Sequence, residues 1–156
     1  MNYYDEISEG YNELHKEEQL RKVEIIIKEL KLKGTEKILD VGCGTAFYAG
    51  HFGKGYLGID PSEGMLKKAK GSKTILGSAE NLPFEDKSFD VVISITAAQN
   101  FKDLEKAIKE IKRVAKKKIA ITILKRSDKV KEIEKHLKGF KKLEEEKDYI
   151  YIKNVK

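Results

Sequence analysis

The sequence predicts an α/β fold: a doubly wound, mostly parallel seven-stranded sheet that finishes in an antiparallel C-terminal strand pair. Three observations predict it. From Glu36 to Leu137, short apolar runs alternate with stretches of helix periodicity. The first run, Ile38-Leu39-Asp40-Val41, breaks into the turn Gly42-Cys43-Gly44 at the point where a helix should start. The last two runs, Phe140 to Glu146 and Tyr149 to Val155, have no helix between them and turn near Lys147-Asp148, as a hairpin does.

The elements follow in order. Residues 2 to about 33 carry Leu20, Val23, Ile27 and Leu30 at helix spacing, with Ile26 widening the stripe and Gly34 placed as a C-terminal cap. Tyr3, Tyr4 and Tyr11 crowd the start of this segment, as packing aromatics or as a lid. Phe47 to Phe52 suits a short helix after the glycine turn. Tyr56 to Ile59 is the second strand, ending in Asp60. Pro61-Ser62 opens a helix through Met65, Leu66 and Ala69 to Gly71, with Ser62 as N-cap. Thr74 to Leu76 is the third strand, and Ser78 to Ser88 reads as loop. Phe89 to Ile95, almost wholly apolar, is a central strand buried on both faces. Asp103 caps a helix with the stripe Leu104, Ile108, Ile111 and Ala115. Ile119 to Leu124 is the fifth strand, and Val130, Ile133 and Leu137 mark the last helix.

The 156 residues suit one domain, with residues 1–33 as an N-terminal helical segment or lid and 36–156 as the core. The chain is 40% hydrophobic and 37% charged, a balance that gives a globular fold with a highly charged surface. The net charge of +6 is dispersed, and Lys116-Lys117-Lys118 is offset by Glu144-Glu145-Glu146, so a solvated face is expected rather than a nucleic-acid patch. A single cysteine, Cys43, excludes a disulfide framework and a multi-cysteine zinc site, and no metal is expected. In the glycine turn Cys43 reads as a small packing residue. The polar start and the absence of long apolar runs give the expectation of a cytoplasmic protein without a membrane span.

Asp40, Asp60, Ser78 and Thr96 all fall at or just after the carboxyl ends of expected strands, where open α/β sheets bind ligands. A dinucleotide site wants a third glycine where this chain has Phe47, and no Gly-Lys-Ser or Gly-Lys-Thr tripeptide offers a mononucleotide phosphate loop. The turn carries no Lys or Arg. An adenosine with a zwitterionic tail fits better than a phosphate-bearing cofactor.

At these residues the chain resembles the class I S-adenosylmethionine-dependent methyltransferases, which have a Rossmann-like fold. Ile38 to Thr45 is similar to their first motif and Gly58 to Leu66 to their second. Gly77 to Phe84 with Ser88 to Val92 is similar to the third and fourth. The resemblance is closest to the branch that includes ubiquinone and menaquinone biosynthesis methyltransferases. It implies S-adenosylmethionine as cofactor, with Gly42 and Gly44 passing its methionine part over the turn and Asp40 near the amino group. Asp60 would take the ribose hydroxyls, Pro61 and Met65 would pack near the adenine, Ser78 and Ala79 would bond it, and Thr96 would line the methionine end. The family often has Gly at Ala46, which is tolerable where the backbone need not be left-handed. It often has Asp at Ser78, so the adenine amine loses a charged acceptor here.

The resemblance leaves the methyl acceptor open: small molecule, protein or RNA. No general base stands out. His15, His51 and His136 are scattered and read as surface or packing residues. Tyr3, Tyr4, Tyr11, Gln99 and Asn100 are the candidate acceptor pocket. Two alternatives are a non-catalytic S-adenosylmethionine-binding partner or activator subunit, and a nucleotide-dependent oxidoreductase, which Phe47 disfavours. The sequence does not set the oligomeric state.

Overall fold

The computed structural model describes residues 3–69 and 71–155, with side chains from residue 13 onward. Seven strands form one sheet: β1 (Ile38–Val41), β2 (Tyr56–Asp60), β3 (Thr74–Leu76), β4 (Phe89–Ser94), β5 (Ala115–Leu124), β6 (Lys141–Glu144) and β7 (Asp148–Asn154). Their order is β3-β2-β1-β4-β5-β7-β6. Pairing is parallel from β3 to β5 and antiparallel for β5 with β7 and β7 with β6. The chain leaves β1 outward through β2 and β3, then returns to the other side of β1 as β4. That reversal opens a crevice beyond the carboxyl ends of β1 and β4.

Alternation along the strands divides the core in two. Leu39, Val41, Ile119, Ile121 and Ile123 face one layer, where α3 (Leu104–Val114) and α4 (Val130–His136) contribute Leu104, Ile108, Ile111 and Ile133. Ile38, Ile93, Ala120 and Ile150 face the other, against Val23, Ile26 and Leu30 of α1 (Tyr3–Leu30). Asp40 and Thr122 share the α1 side by the same alternation.

Several boundaries differ from expectation. The cap of α1 is Lys31, not Gly34: Lys31 is left-handed (φ +55°), and the Leu32 amide reaches back to the Ile27 carbonyl at 3.0 Å, a Schellman closure. Ser62 does cap α2 (Glu63–Leu66), accepting the Met65 amide at 3.2 Å, but α2 is a single turn that stops well before Gly71. The helix expected after the glycine turn is a 3-10 segment, Ala49–Phe52. Asp103 caps α3 through the Lys106 amide at 3.1 Å. α3 runs into β5 without a loop, so β5 begins at Ala115 rather than Ile119. Among the described residues no helix is long and apolar enough to cross a membrane.

Candidate functional site

The carboxyl ends of β1, β2 and β4 open into a cavity of about 840 Å³, walled on one side by His15, Lys16 and Gln19 from the middle of α1. The glycine turn forms its floor. Gly42 (φ +81°) and Gly44 (φ +56°) take left-handed backbone that glycine adopts without a Cβ penalty. The turn is tied to β2, because the Gly42 and Cys43 amides both donate to the Ile59 carbonyl, at 2.8 and 3.1 Å. It is tied to the segment after β4 by close approach: a Cβ on Gly42 would lie 2.6 Å from Ala97 Cβ. Ala46 is also left-handed (φ +52°), which corrects the expectation that alanine is tolerated there for want of such a conformation. The strain, about 1–2 kcal/mol for a non-glycine residue, is offset in part by burial of the methyl group.

Asp60 faces this floor from the end of β2. Its Oδ2 accepts the Gly44 amide at 2.9 Å and its Oδ1 accepts the Ser62 amide at 2.8 Å. A carboxylate offers about four acceptor sites, so two remain for a ligand. That number fits the paired hydroxyls of a ribose. Pro61 and Met65 line the same end of the cavity. The floor thus has what an adenosine with an amino-acid tail needs: an open backbone turn, a diol acceptor and an apolar flank. Lys16 and Lys68 also line the cavity, and the Lys16 ammonium lies 5.7 Å from the centre of the Phe47 ring.

Asp40 lies elsewhere than expected. It is fully buried on the α1 side of the sheet, below the turn rather than in the cavity wall. Its Oδ2 accepts hydroxyls from Tyr48 at 2.7 Å and Tyr56 at 2.5 Å. Burial pushes its carboxyl up to about 6, against the lowering effect of the two hydroxyl bonds. Both tyrosines are pushed up by burial and then by the Asp40 charge, so they remain donors. Cys43 is buried at 3% exposure with its thiol pushed up by burial and by Asp40 and Asp60, as suits a packing residue and not a nucleophile.

Of the other expected site residues, Gly42, Gly44, Asp60, Pro61, Met65, Thr96 and Asn100 come together around the cavity. Ser78 and Ala79 do not line it: Ser78 turns its hydroxyl to Glu80 at 3.2 Å, and Ala79 joins the core. Gln99 folds back to donate to the Thr96 carbonyl at 2.8 Å. The side chains of Tyr3, Tyr4 and Tyr11 lie outside the described residues.

Sequence reasoning passed over the α1 wall. His15, expected as a surface or packing residue, lines the cavity, and its imidazole is held below the ordinary value by burial and then by the Lys22 charge. It is therefore neutral at pH 7. Behind the wall, Lys22 is 2% exposed, donates to Gln19 Oε1 at 2.7 Å and Thr96 Oγ1 at 2.8 Å, and is ion-paired with Asp148 Oδ1 at 3.0 Å. The missed signal was spacing: His15, Gln19, Lys22 and Ile26 continue one helix face.

Comparison with known proteins places these features in company. Residues 39–122, more than half of the chain, match the family model described as a methyltransferase domain. A demethylmenaquinone methyltransferase of Thermotoga maritima is 32% identical over 141 residues, covering 80% of this chain and 60% of that protein. The Staphylococcus saprophyticus enzyme of the same name is 37% identical over 105 residues, covering 58% of this chain and 45% of that protein. The chain thus spans about half the length of the curated relatives it matches. The crystal structure of the PH0226 protein from Pyrococcus horikoshii superposes with a TM-score of 0.74 at 25% identity, over 96% of this chain and 93% of that one.

Proposed function

This chain belongs to the class I S-adenosylmethionine-dependent methyltransferase family, and we propose that it transfers a methyl group to a small-molecule acceptor entering beside α1. The observation that carries this reading is the pairing of Asp60 with the glycine turn on the floor of one cavity. Support for a small acceptor over a protein or RNA comes from the apolar lining supplied by Phe47, Ile95, Ala97 and Phe101 and from relatives named for a demethylated quinone.

Bound S-adenosylmethionine supplies a methyl group activated by a sulfonium. The residues of the chain bind, orient and exclude water. In this reading Asp60 takes the ribose hydroxyls, the Gly42–Gly44 backbone carries the methionine part, and Lys16 meets its carboxylate. Pro61 and Met65 flank the base. Phe47, Ile95 and Phe101 keep water from the acceptor. His15, neutral at pH 7, accepts the proton of an acceptor that arrives as a phenol or enol.

The test is incubation with methyl-labelled S-adenosylmethionine and three acceptor pools: phenols and quinols, peptides, and RNA. The expected result is label in the organic-extractable pool, with little dependence on salt. Label confined to RNA, with transfer falling steeply as salt rises, would overturn the small-molecule assignment.

A further inference from the structure

Thr96, two residues past the carboxyl end of β4, has φ +51°. A β-branched residue in this region is a true outlier, and such strain persists only when the surroundings over-determine it. Here they do. The Thr96 amide donates to Thr122 Oγ1 at 2.8 Å, and its carbonyl accepts from Gln99 Nε2 at 2.8 Å. Its hydroxyl donates to Asp148 Oδ2 at 2.8 Å and accepts from Lys22 Nζ at 2.8 Å. Lys22 donates two hydrogen bonds, to Gln19 and Thr96, and its buried charge is ion-paired with Asp148. Three elements, α1, β5 and β7, meet on one hydroxyl-bearing residue just after a fourth, β4.

The next residue makes this matter to the site. Ala97 is the neighbour that a Cβ on Gly42 would strike, so the backbone direction set at Thr96 sets the contact against the glycine turn. We propose that Lys22 is a positioning residue for the cavity: with Asp148 it grips the Thr96 hydroxyl, holds Thr96 left-handed, and thereby seats Ala97 on Gly42 and fixes the floor on which the cofactor lies. The inference rests on the methyltransferase reading for its ligand, but its geometry can be tested without one.

The experiment compares the full chain with Lys22→Met/Asp148→Asn, which removes both charges and leaves neither unpaired. Amide shifts of Gly42 and Ala97 are read in ligand-free protein, and affinity is read with S-adenosylhomocysteine. In the double variant both amides should move and affinity should fall by about tenfold or more. Glycine takes φ +51° without help, so Thr96→Gly should make the pair dispensable. Adding Lys22→Met/Asp148→Asn to Thr96→Gly should then leave the Gly42 amide in place and lower affinity by less than about threefold. Losses that simply add, or a folded double variant with unmoved amides, overturn the proposal. Where the double variant does not fold, Thr96→Val against Thr96→Ser decides: the amides should move in the valine variant, which lacks the hydroxyl, and stay in the serine one. Wild-type protein that binds no S-adenosylhomocysteine overturns the ligand assignment and leaves the amide test standing.

Discussion

Asp60 Oδ2 holds the Gly44 amide at 2.9 Å, so the acid that closes β2 also pins the glycine turn that follows β1. One carboxylate thereby joins the two segments on which a nucleoside would rest. Asp60→Asn keeps an acceptor for one backbone amide but loses the charge. It should weaken S-adenosylhomocysteine binding by about 1.5–3 kcal/mol, the range for a hydrogen bond to a charged group, and also lower the melting temperature, because the side-chain NH2 then faces one of the two backbone amides that the carboxylate accepts. Calorimetric titration of wild type and variant checks both.

Gly42→Ala meets two obstacles at once: a left-handed backbone and an Ala97 methyl 2.6 Å from the new Cβ. Either the turn or the post-β4 segment must shift. The expected outcome is a folded protein destabilised by about 2 kcal/mol or more that has lost most of its adenosyl-ligand affinity. Denaturant unfolding and titration measure the two losses separately.

Gly58→Ala should be as costly for a different reason. Its Cβ would lie 2.6 Å from Cys43 Sγ and 2.8 Å from Cys43 Cβ, with no left-handed backbone involved. Cys43→Gly should therefore recover a substantial part of the stability lost in Gly58→Ala. Additive losses in a double-mutant cycle would show that the two positions do not share this space.

Asp40 gives a pH signature. Its carboxyl is raised in the folded state from an ordinary 3.8 to about 6, chiefly by burial. Between those values the folded protein binds more protons than the unfolded chain, so stability falls as pH rises. The contribution is fully present below pH 3.8 and lost as pH passes 6, a change on the order of 3 kcal/mol. Asp40→Asn removes it. Unfolding free energies of the two proteins from pH 4 to pH 7.5 should therefore shift against each other, with wild type losing ground as pH rises. A constant difference across that range would contradict the burial argument.

Much of this architecture was readable in advance. The bounds of β1 and β3 follow from short apolar runs ended by glycine or turn residues, and the Asp103 and Ser62 caps follow from a polar residue set before a helical stripe. The place of Asp60 at the cavity was legible because an acid at the carboxyl end of a strand in an open α/β sheet faces the crevice. Asp40 was not. Every residue of β1 is buried, so the sequence does not say which side of the sheet receives the carboxylate, and tyrosines 8 and 16 residues away claim it. The α1 wall was hidden for a related reason. Helix periodicity registers apolar residues, while His15, Gln19 and Lys22 continue the helix face with polar ones, and the partners of Lys22 lie just after β4 and on β7. Lys31 in place of Gly34 shows the same limit at a cap, where tertiary packing tolerated a left-handed lysine.

The cavity floor is proposed as an adenosyl-ligand site. Titration calorimetry of the wild-type chain with S-adenosylhomocysteine, with NAD as the control, tests that most directly. Micromolar binding of the former and none of the latter is the predicted result. No heat from S-adenosylhomocysteine at millimolar concentration, in a protein shown to be folded, would contradict it.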